Sequence, residues 1–261
     1  MELEGKVALV TGGGRGLGRA TALALAERGA KVAVLARSLS EVEETARLVR
    51  QYYGVGRALA IHADVTRERE VAEAFDAVRK RWGGVDILVN NAGQTGATRP
   101  IVTLSLAEWQ SVIDVNLTGT FLCSREAMRD MARRKWGRIV NISSDSAAFA
   151  VPSLAAYSVA KAAVEHLTRL IAAEGASIGV VAVALRPGLL DTRMQEDLRT
   201  RSAEAITPEL RTLFSVYKQK GRLVPPERPA EIISYLCSTS RTEDLNGRAL
   251  DAHEVEELLA R

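Results

Sequence analysis

The sequence predicts an α/β fold, a doubly wound parallel sheet of about seven strands with helices on both faces, and three observations carry that prediction. Short β-branched apolar runs recur along the 261-residue chain, helical spacing fills most of the stretches between them, and polar residues gather at the carboxyl ends of the runs. Runs that are apolar throughout read as strands buried on both faces, as in a parallel sheet covered by helices. With 47% hydrophobic and 26% charged residues the composition is that of a globular chain, and its length suits one large domain over residues 1–261.

The first run, Lys6 to Thr11, ends in Gly12-Gly13-Gly14-Arg15-Gly16-Leu17-Gly18, and Leu17 to Arg28 follows with helical apolar spacing. Strand, glycine turn and helix in this order suit a diphosphate. The glycines let the backbone approach a ligand, and the free N–H groups at the positive end of the helix favour an anion. This is the entry to a Rossmann-type nucleotide-binding fold. The second run, Lys31 to Ala36, ends where such a fold chooses between NAD and NADP. An acid there would bond the ribose 2′-hydroxyl and repel a 2′-phosphate. The chain has Ala36 and then Arg37, with Arg15 in the glycine loop, and two guanidiniums can clamp a phosphate. NADP is the expected cofactor, ahead of NAD.

Ala58 to Ala63 and Val85 to Val89 give the third and fourth strands, ending in Asp64-Val65 and Asn90-Asn91-Ala92-Gly93. Leu106 to Arg133 reads as one or two helices with Asn116 among Val112, Val115, Leu117 and Phe121; a mid-helix Asn ordinarily lies on a solvated face. Gly137 to Ile142 is the fifth strand, followed by Ser143, Ser144 and Ser146.

Ala155 to Glu174 then reads as a helix, with Ala160, Val164, Leu167 and Ile171 at helical spacing and neither Pro nor Gly. It sets Tyr157 and Lys161 four residues apart, so their Cβ atoms are roughly 5 to 6 Å from each other. A free tyrosine ionises near pH ~10. An ammonium at ~4 Å, with an effective dielectric near ~20, supplies about 4 kcal/mol, enough to lower that value by about three units. The expectation is an acidified phenol. Gly179 to Leu185 is the sixth strand and ends in Arg186-Pro187-Gly188. Residues 189–223 have patchy helical periodicity and are too long for an ordinary connection, which suggests a substrate lid. Pro229 suits the first position of a helix running to Cys237. Gly247 to Asp251 offers a short last strand before an acidic tail.

Other classes are disfavoured. A net charge of +3 spread among many acids leaves no nucleic-acid footprint. The one dense basic run, Arg133-Arg134-Lys135, reads as a helix end that complements the dipole, with a carrier-protein dock as the alternative. Cys123 and Cys237 lack C-x-x-C spacing and read as buried thiols of a reducing compartment, with no metal site. No apolar run reaches the ~18 residues of a membrane span, and the opening residues go straight into a strand pattern, so a cytoplasmic location is expected.

Taken together, T-G-x-x-x-G-x-G (Thr11 to Gly18), Asp64, N-N-A-G (Asn90 to Gly93), Asn116, the serine after strand five, Y-x-x-x-K (Tyr157, Lys161) and P-G-x-x-x-T (Pro187 to Thr192) give a chain that resembles the short-chain dehydrogenases/reductases over nearly its whole length. The resemblance implies hydride transfer between NADP(H) and a carbonyl or secondary alcohol carbon. It implies a catalytic set of Asn116, Ser144, Tyr157 and Lys161, with Ser144 chosen because the family's serine lies thirteen positions before its tyrosine. Asn116 would hold a water linking Lys161 to solvent. For the cofactor it implies Gly12, Arg15, Gly16, Leu17 and Gly18 at the diphosphate and adenosine end, Arg37 at the 2′-phosphate, and Asp64 and Val65 at the adenine. Asn91 would stand near the adenosine ribose, Leu190 and Thr192 at the nicotinamide carboxamide, and Lys161 and Tyr157 at its ribose. Pocket candidates are Gln94, Thr95, Ser146, Phe149, Val151, Leu189 and the lid. A homo-oligomer, tetramer or dimer, is expected by analogy through the helices near 104–135 and 155–174. A 3-oxoacyl-carrier-protein reductase and a nucleotide-binding scaffold without turnover are the alternatives. Two departures stand out: LDAHEVEELLAR replaces the family's glycine pair after the last strand, and the segment Glu174 to Gly179 is short.

Overall fold

A computed structural model describes residues 2–200, 206–238 and 243–259. Its strands are β1 (Val7–Thr11), β2 (Lys31–Ala36), β3 (Ala58–His62), β4 (Ile87–Asn90), β5 (Gly137–Ile142), β6 (Val180–Arg186) and β7 (Ala249–Asp251). All pair in parallel, in the order β3-β2-β1-β4-β5-β6-β7. The helices are α1 (Gly16–Glu27), α2 (Leu39–Tyr53), α3 (Glu68–Trp82), α4 (Leu106–Ile113) and α5 (Gly119–Arg134). They continue as α6 (Ala155–Gly175), α7 (Arg193–Thr200), α8 (Pro208–Gln219), α9 (Glu227–Ser238) and α10 (Ala252–Leu259).

Side chains alternate across a strand, so each one feeds two cores. Ala8 and Val10 of β1 join a cluster with Leu25, Val42, Ile233 and Val255, from α1, α2, α9 and α10. Val7 and Leu9 turn the other way, toward Phe75, Met131 and Ile171 of α3, α5 and α6. Both faces of the sheet are therefore dry, which is why the strands carry unbroken apolar runs. The strand order reverses between β1 and β4, and loops leaving their carboxyl ends part there to open a crevice.

The structure sharpens several local expectations and corrects one, the place of Pro229. The stretch 106–133 is two helices joined by a π-helical turn, Asp114–Thr118. The acidic tail forms α10, with Val255 buried against the α1 side. Because α9 starts at Glu227, Pro229 sits within its first turn and not at its first residue, still where a helical N–H has no intrahelical partner. The lid contains α7 and α8, with residues 201–205 outside the described residues. The basic run closes α5, with Lys135 in the left-handed region at φ 53°. There Arg133 pairs with Asp130, and Arg134 donates to Asp86 at 2.6 Å, just before β4. These charges lie at the amino edge of the sheet, away from the crevice.

Candidate active site

The crevice is a cavity of about 620 Å³. Its floor is the glycine loop. Gly12 has a φ of +61°, and a Cβ at Gly18 would stand 2.2 Å from the Gly12 carbonyl oxygen, so α1 can start against the loop only without a side chain there. The loop is braced from outside: Arg19 and Thr45 donate to the Gly14 carbonyl at 2.5 and 3.2 Å. Asn91 Nδ2 donates to the Thr11 and Gly12 carbonyls at 2.9 and 3.1 Å, while Thr11 Oγ1 accepts from the N–H groups of Asn91 and Ala92, both at 3.0 Å. Asn91, expected beside the ribose, lines the cavity but commits its amide to the loop. No side chain caps α1, and its first turn carries no acid. Those N–H groups fit a diphosphate.

Arg15, Gly16 and Leu17 line the cavity, and Thr192 covers Gly16, its Cγ2 3.4 Å from where a Cβ would be. Gly18 lies behind this surface. At the far end stand Arg37, Glu41, Asp64 and Val65. Asp64 accepts from the Thr66 N–H and hydroxyl at 3.0 and 2.9 Å. Arg37 is exposed and has no acidic partner among the described residues. Arg15 lines the same cavity, but a carboxylate competes for it: its Nη1 lies 3.6 Å from Glu41 in the first turn of α2.

At the other end the chain leaves β5 extended, with Ser144 at φ −162°, so Ser143 and Ser144 point opposite ways. Ser144 lines the cavity with Tyr157 and accepts from the Ser146 N–H at 3.3 Å, with the Ser146 hydroxyl 3.1 Å away. Ser143 turns back and donates to Glu165 at 2.7 Å. Lys161 is 4% exposed, donates to the Ile142 carbonyl at 2.7 Å and lies 5.6 Å from the Tyr157 ring centre.

Asn116 is wholly buried, contrary to the solvated face its helical setting suggests. It accepts from the Gln94 N–H at 3.3 Å and donates to the carbonyls of Gln94 and Val112 at 2.8 and 2.9 Å. The π turn that carries it is a device frequent at functional sites. Gly93 makes room for this meeting: a Cβ there would fall 2.9 Å from Asn116 Oδ1 and 3.6 Å from Lys161 Nζ. Leu190, Thr192, Thr95, Ser146, Val151 and Leu189 also line the cavity. Gln94 and Phe149 do not: the Gln94 amide is held by Ser111, and Phe149 is 69% exposed.

The family described as short chain dehydrogenase matches residues 6–203. The chain belongs to that family. It is similar to the 3-oxoacyl-(acyl-carrier-protein) reductase FabG of Aquifex aeolicus, 35% identical over 91% of this chain and 92% of the relative. It is also similar to the cis-4-hydroxycyclohexanecarboxylate dehydrogenase of Sinomonas cyclohexanicum, 37% identical over 89% of each chain. A crystal structure of NAD⁺-bound xylitol dehydrogenase superposes with a TM-score of 0.86 at 27% identity, covering 96% of this chain and 98% of that one.

The electrostatics of this dehydrogenase correct the acidified phenol. Burial pushes Tyr157 above the usual tyrosine range, opposed by its bond to Ser144 and reinforced by the charge of Asp145. Burial also pulls Lys161 down to about 8. Lysine thus loses its charge before the phenol would ionise, and Tyr157 keeps its proton through the neutral range. Sequence reasoning quoted Thr11 within a motif but gave no role to its hydroxyl, which ties the glycine loop to the end of β4, and it missed Glu165, one helical turn beyond Lys161. For Glu165 a signal was present, an acid four residues after the lysine on the same face of the helix.

Proposed function

We propose that this dehydrogenase uses NADP(H) to interconvert a carbonyl and a secondary alcohol, with Tyr157 as the acid/base group. The observation that carries the reading is that Tyr157, beside Ser144 and backed by buried Lys161, opens into the same cavity as the uncapped start of α1. The nicotinamide, when bound, supplies or accepts the hydride. Ser144 and Tyr157 would both bond the carbonyl oxygen and stabilise its growing negative charge, and Tyr157 would give up its proton. A phenol still protonated at neutral pH suits the reducing direction. Lys161 would bond the nicotinamide ribose, and Asn116 would connect it toward solvent. Gly12, Gly16 and Leu17 would hold the diphosphate, Asp64, Val65 and Asn91 the adenosine, and Leu190 and Thr192 the carboxamide, with Gly18 letting α1 start against the loop.

NADP is favoured by Ala36 and the acid-free Arg37 at the end of β2. Two observations weigh the other way, Glu41 beside Arg15 and the NAD⁺ in the xylitol dehydrogenase. The substrate side is apolar, with Val151, Leu154, Met194, Leu213 and Phe214 around few polar groups, which supports a ketone with apolar substituents. The relative named as an acyl-carrier-protein reductase supports a thioester substrate, but the basic run read as an alternative carrier dock lies at the opposite edge of the sheet. Half-exposed Phe121, Val159 and Leu170 on α5 and α6 support a homo-oligomer.

The test is oxidation of NADPH and NADH by the purified chain over a panel of ketones and an acetoacetyl thioester. The expected outcome is NADPH-dependent reduction of an apolar ketone, lowered about 10²–10⁴-fold in Tyr157→Phe. Tight cofactor binding without turnover of any member would favour the scaffold.

A further inference from the structure

We propose that Glu165 and Arg186 are positioning residues that hold Ser144 toward Tyr157, an inference resting on the roles just given to those two hydroxyls. Tyr157, Lys161 and Glu165 follow one another at intervals of four along α6 and form one stripe facing the end of β5. Lys161 bonds the Ile142 carbonyl there and Glu165 the Ser143 hydroxyl, while Tyr157 shares the cavity wall with Ser144.

Glu165 is 6% exposed, so its charge requires a partner. Arg186, the last residue of β6, supplies one in bidentate form at 2.8 and 2.9 Å. The oxygen that takes the Arg186 Nε–H also takes the Ser143 hydroxyl. Arg186 in turn lies 3.7 Å from the carboxylate of Asp251 at the end of β7, which brings the unusual C-terminal segment into the same network.

The geometric consequence follows from the extended backbone at Ser144. Neighbouring side chains on such a backbone point to opposite sides. Fixing Ser143 backward on Glu165 therefore fixes Ser144 forward, into the cavity. A guanidinium fork holds the carboxylate in one orientation, which a lysine in its place would not do.

Two variants test the inference. Glu165→Leu combined with Arg186→Leu removes the pair without leaving a lone buried charge, a change cores tolerate. Glu165→Gln keeps an acceptor for Ser143 but loses the charge pair. In the double variant, NADPH affinity and the KM for the carbonyl are expected to stay within about twofold of wild type. Its kcat should fall about 10–100-fold, as for a misplaced catalytic group, with a smaller fall in Glu165→Gln. A crystal structure of the double variant should show the Ser144 hydroxyl displaced from Tyr157. Wild-type kcat in a folded double variant, or Ser144 still in place, overturns the proposal. If the double variant does not fold, Glu165→Gln decides: a reduced kcat at unchanged NADPH affinity supports the inference, and an unchanged kcat overturns it. Should the wild type reduce no member of the carbonyl panel, the functional reading fails by itself, while the position of Ser144 in crystals of either variant still decides this one.

Discussion

The wall of the cavity that would receive the diphosphate is backbone held by close neighbours, whereas the wall over the reaction centre is two helices resting on a few side chains. In the first, the Gly14 carbonyl, the Gly12 carbonyl and the Thr11 hydroxyl are each bonded by residues from other elements. In the second, Leu198 of α7, Leu210 and Phe214 of α8, and Ile206 just before α8 pack with Leu154 in a cluster separate from both sheet cores. Isolated bridges, Leu190 to Val224 and Thr98 to Ile206, join this wall to the rest. A part of the ligand shared by many reactions can be met by a fixed surface. A part that differs between them is met by side chains that can be exchanged without disturbing the sheet.

Between the two walls sits the buried ammonium of Lys161, and its replacement should have the largest effect. Lys161→Met is expected to lower kcat about 10²–10⁴-fold. The linkage runs opposite to the usual lysine pair: the folded value of about 8 lies below the ordinary 10.5. Between those values the unfolded chain holds a proton the native state has released, so stability rises with pH across that window. At pH 7 the buried charge costs about 3 kcal/mol. The variant should therefore melt at a higher temperature than wild type at pH 7, with the difference vanishing above pH ~10. A lower melting temperature at neutral pH would show that the Ile142 carbonyl compensates the burial in full.

Gly18→Ala tests the rigid wall directly. A Cβ 2.2 Å from the Gly12 carbonyl and 2.6 Å from Asn91 Nδ2 has nowhere to go unless the loop moves. Overpacking of about 1–3 kcal/mol corresponds to roughly 10–100-fold weaker NADPH binding, read by fluorescence titration. Wild-type affinity would mean that this wall yields as readily as the other.

Legibility in the sequence divides along the same line. The glycine loop and the Tyr157–Lys161 pair are set by contacts within one or two turns of chain, so spacing alone exposes them. Burial of Asn116 depends on Gly93 and Gln94 packing beside a π turn, and nothing in the order of residues around position 116 announces that. Arg15 meets Glu41 only because α2 folds back along α1, so spacing along the chain could not show that a carboxylate competes for that guanidinium. The helices of the lid left a patchy signal because few of their residues are buried, in a cluster too small to impose a full apolar stripe.

Phe214→Ala tests the exchangeable wall. Phe214 is 7% exposed and belongs to the lid cluster and the cavity lining at once. Its loss should raise the KM for the carbonyl about tenfold, the effect of removing apolar contact of 1–3 kcal/mol. NADPH affinity and the main melting transition should stay close to wild type. A drop in NADPH affinity equal to the rise in KM would show the two walls to be one mechanical unit.

The smallest expected effect lies at the adenosine end, where the rigid wall borders solvent. Glu41 and Arg15 are both partly exposed, and exposed pairs contribute about 0–1 kcal/mol. Glu41→Gln leaves Gly14 and the start of α2 in place while removing the carboxylate that competes for Arg15. If a 2′-phosphate binds between Arg15 and Arg37, freeing the guanidinium should lower the KM for NADPH about two- to fivefold and leave that for NADH unchanged. Equal changes in both would place Glu41 on the diphosphate or the loop, and a fall confined to NADH would reverse the cofactor preference drawn from Arg37.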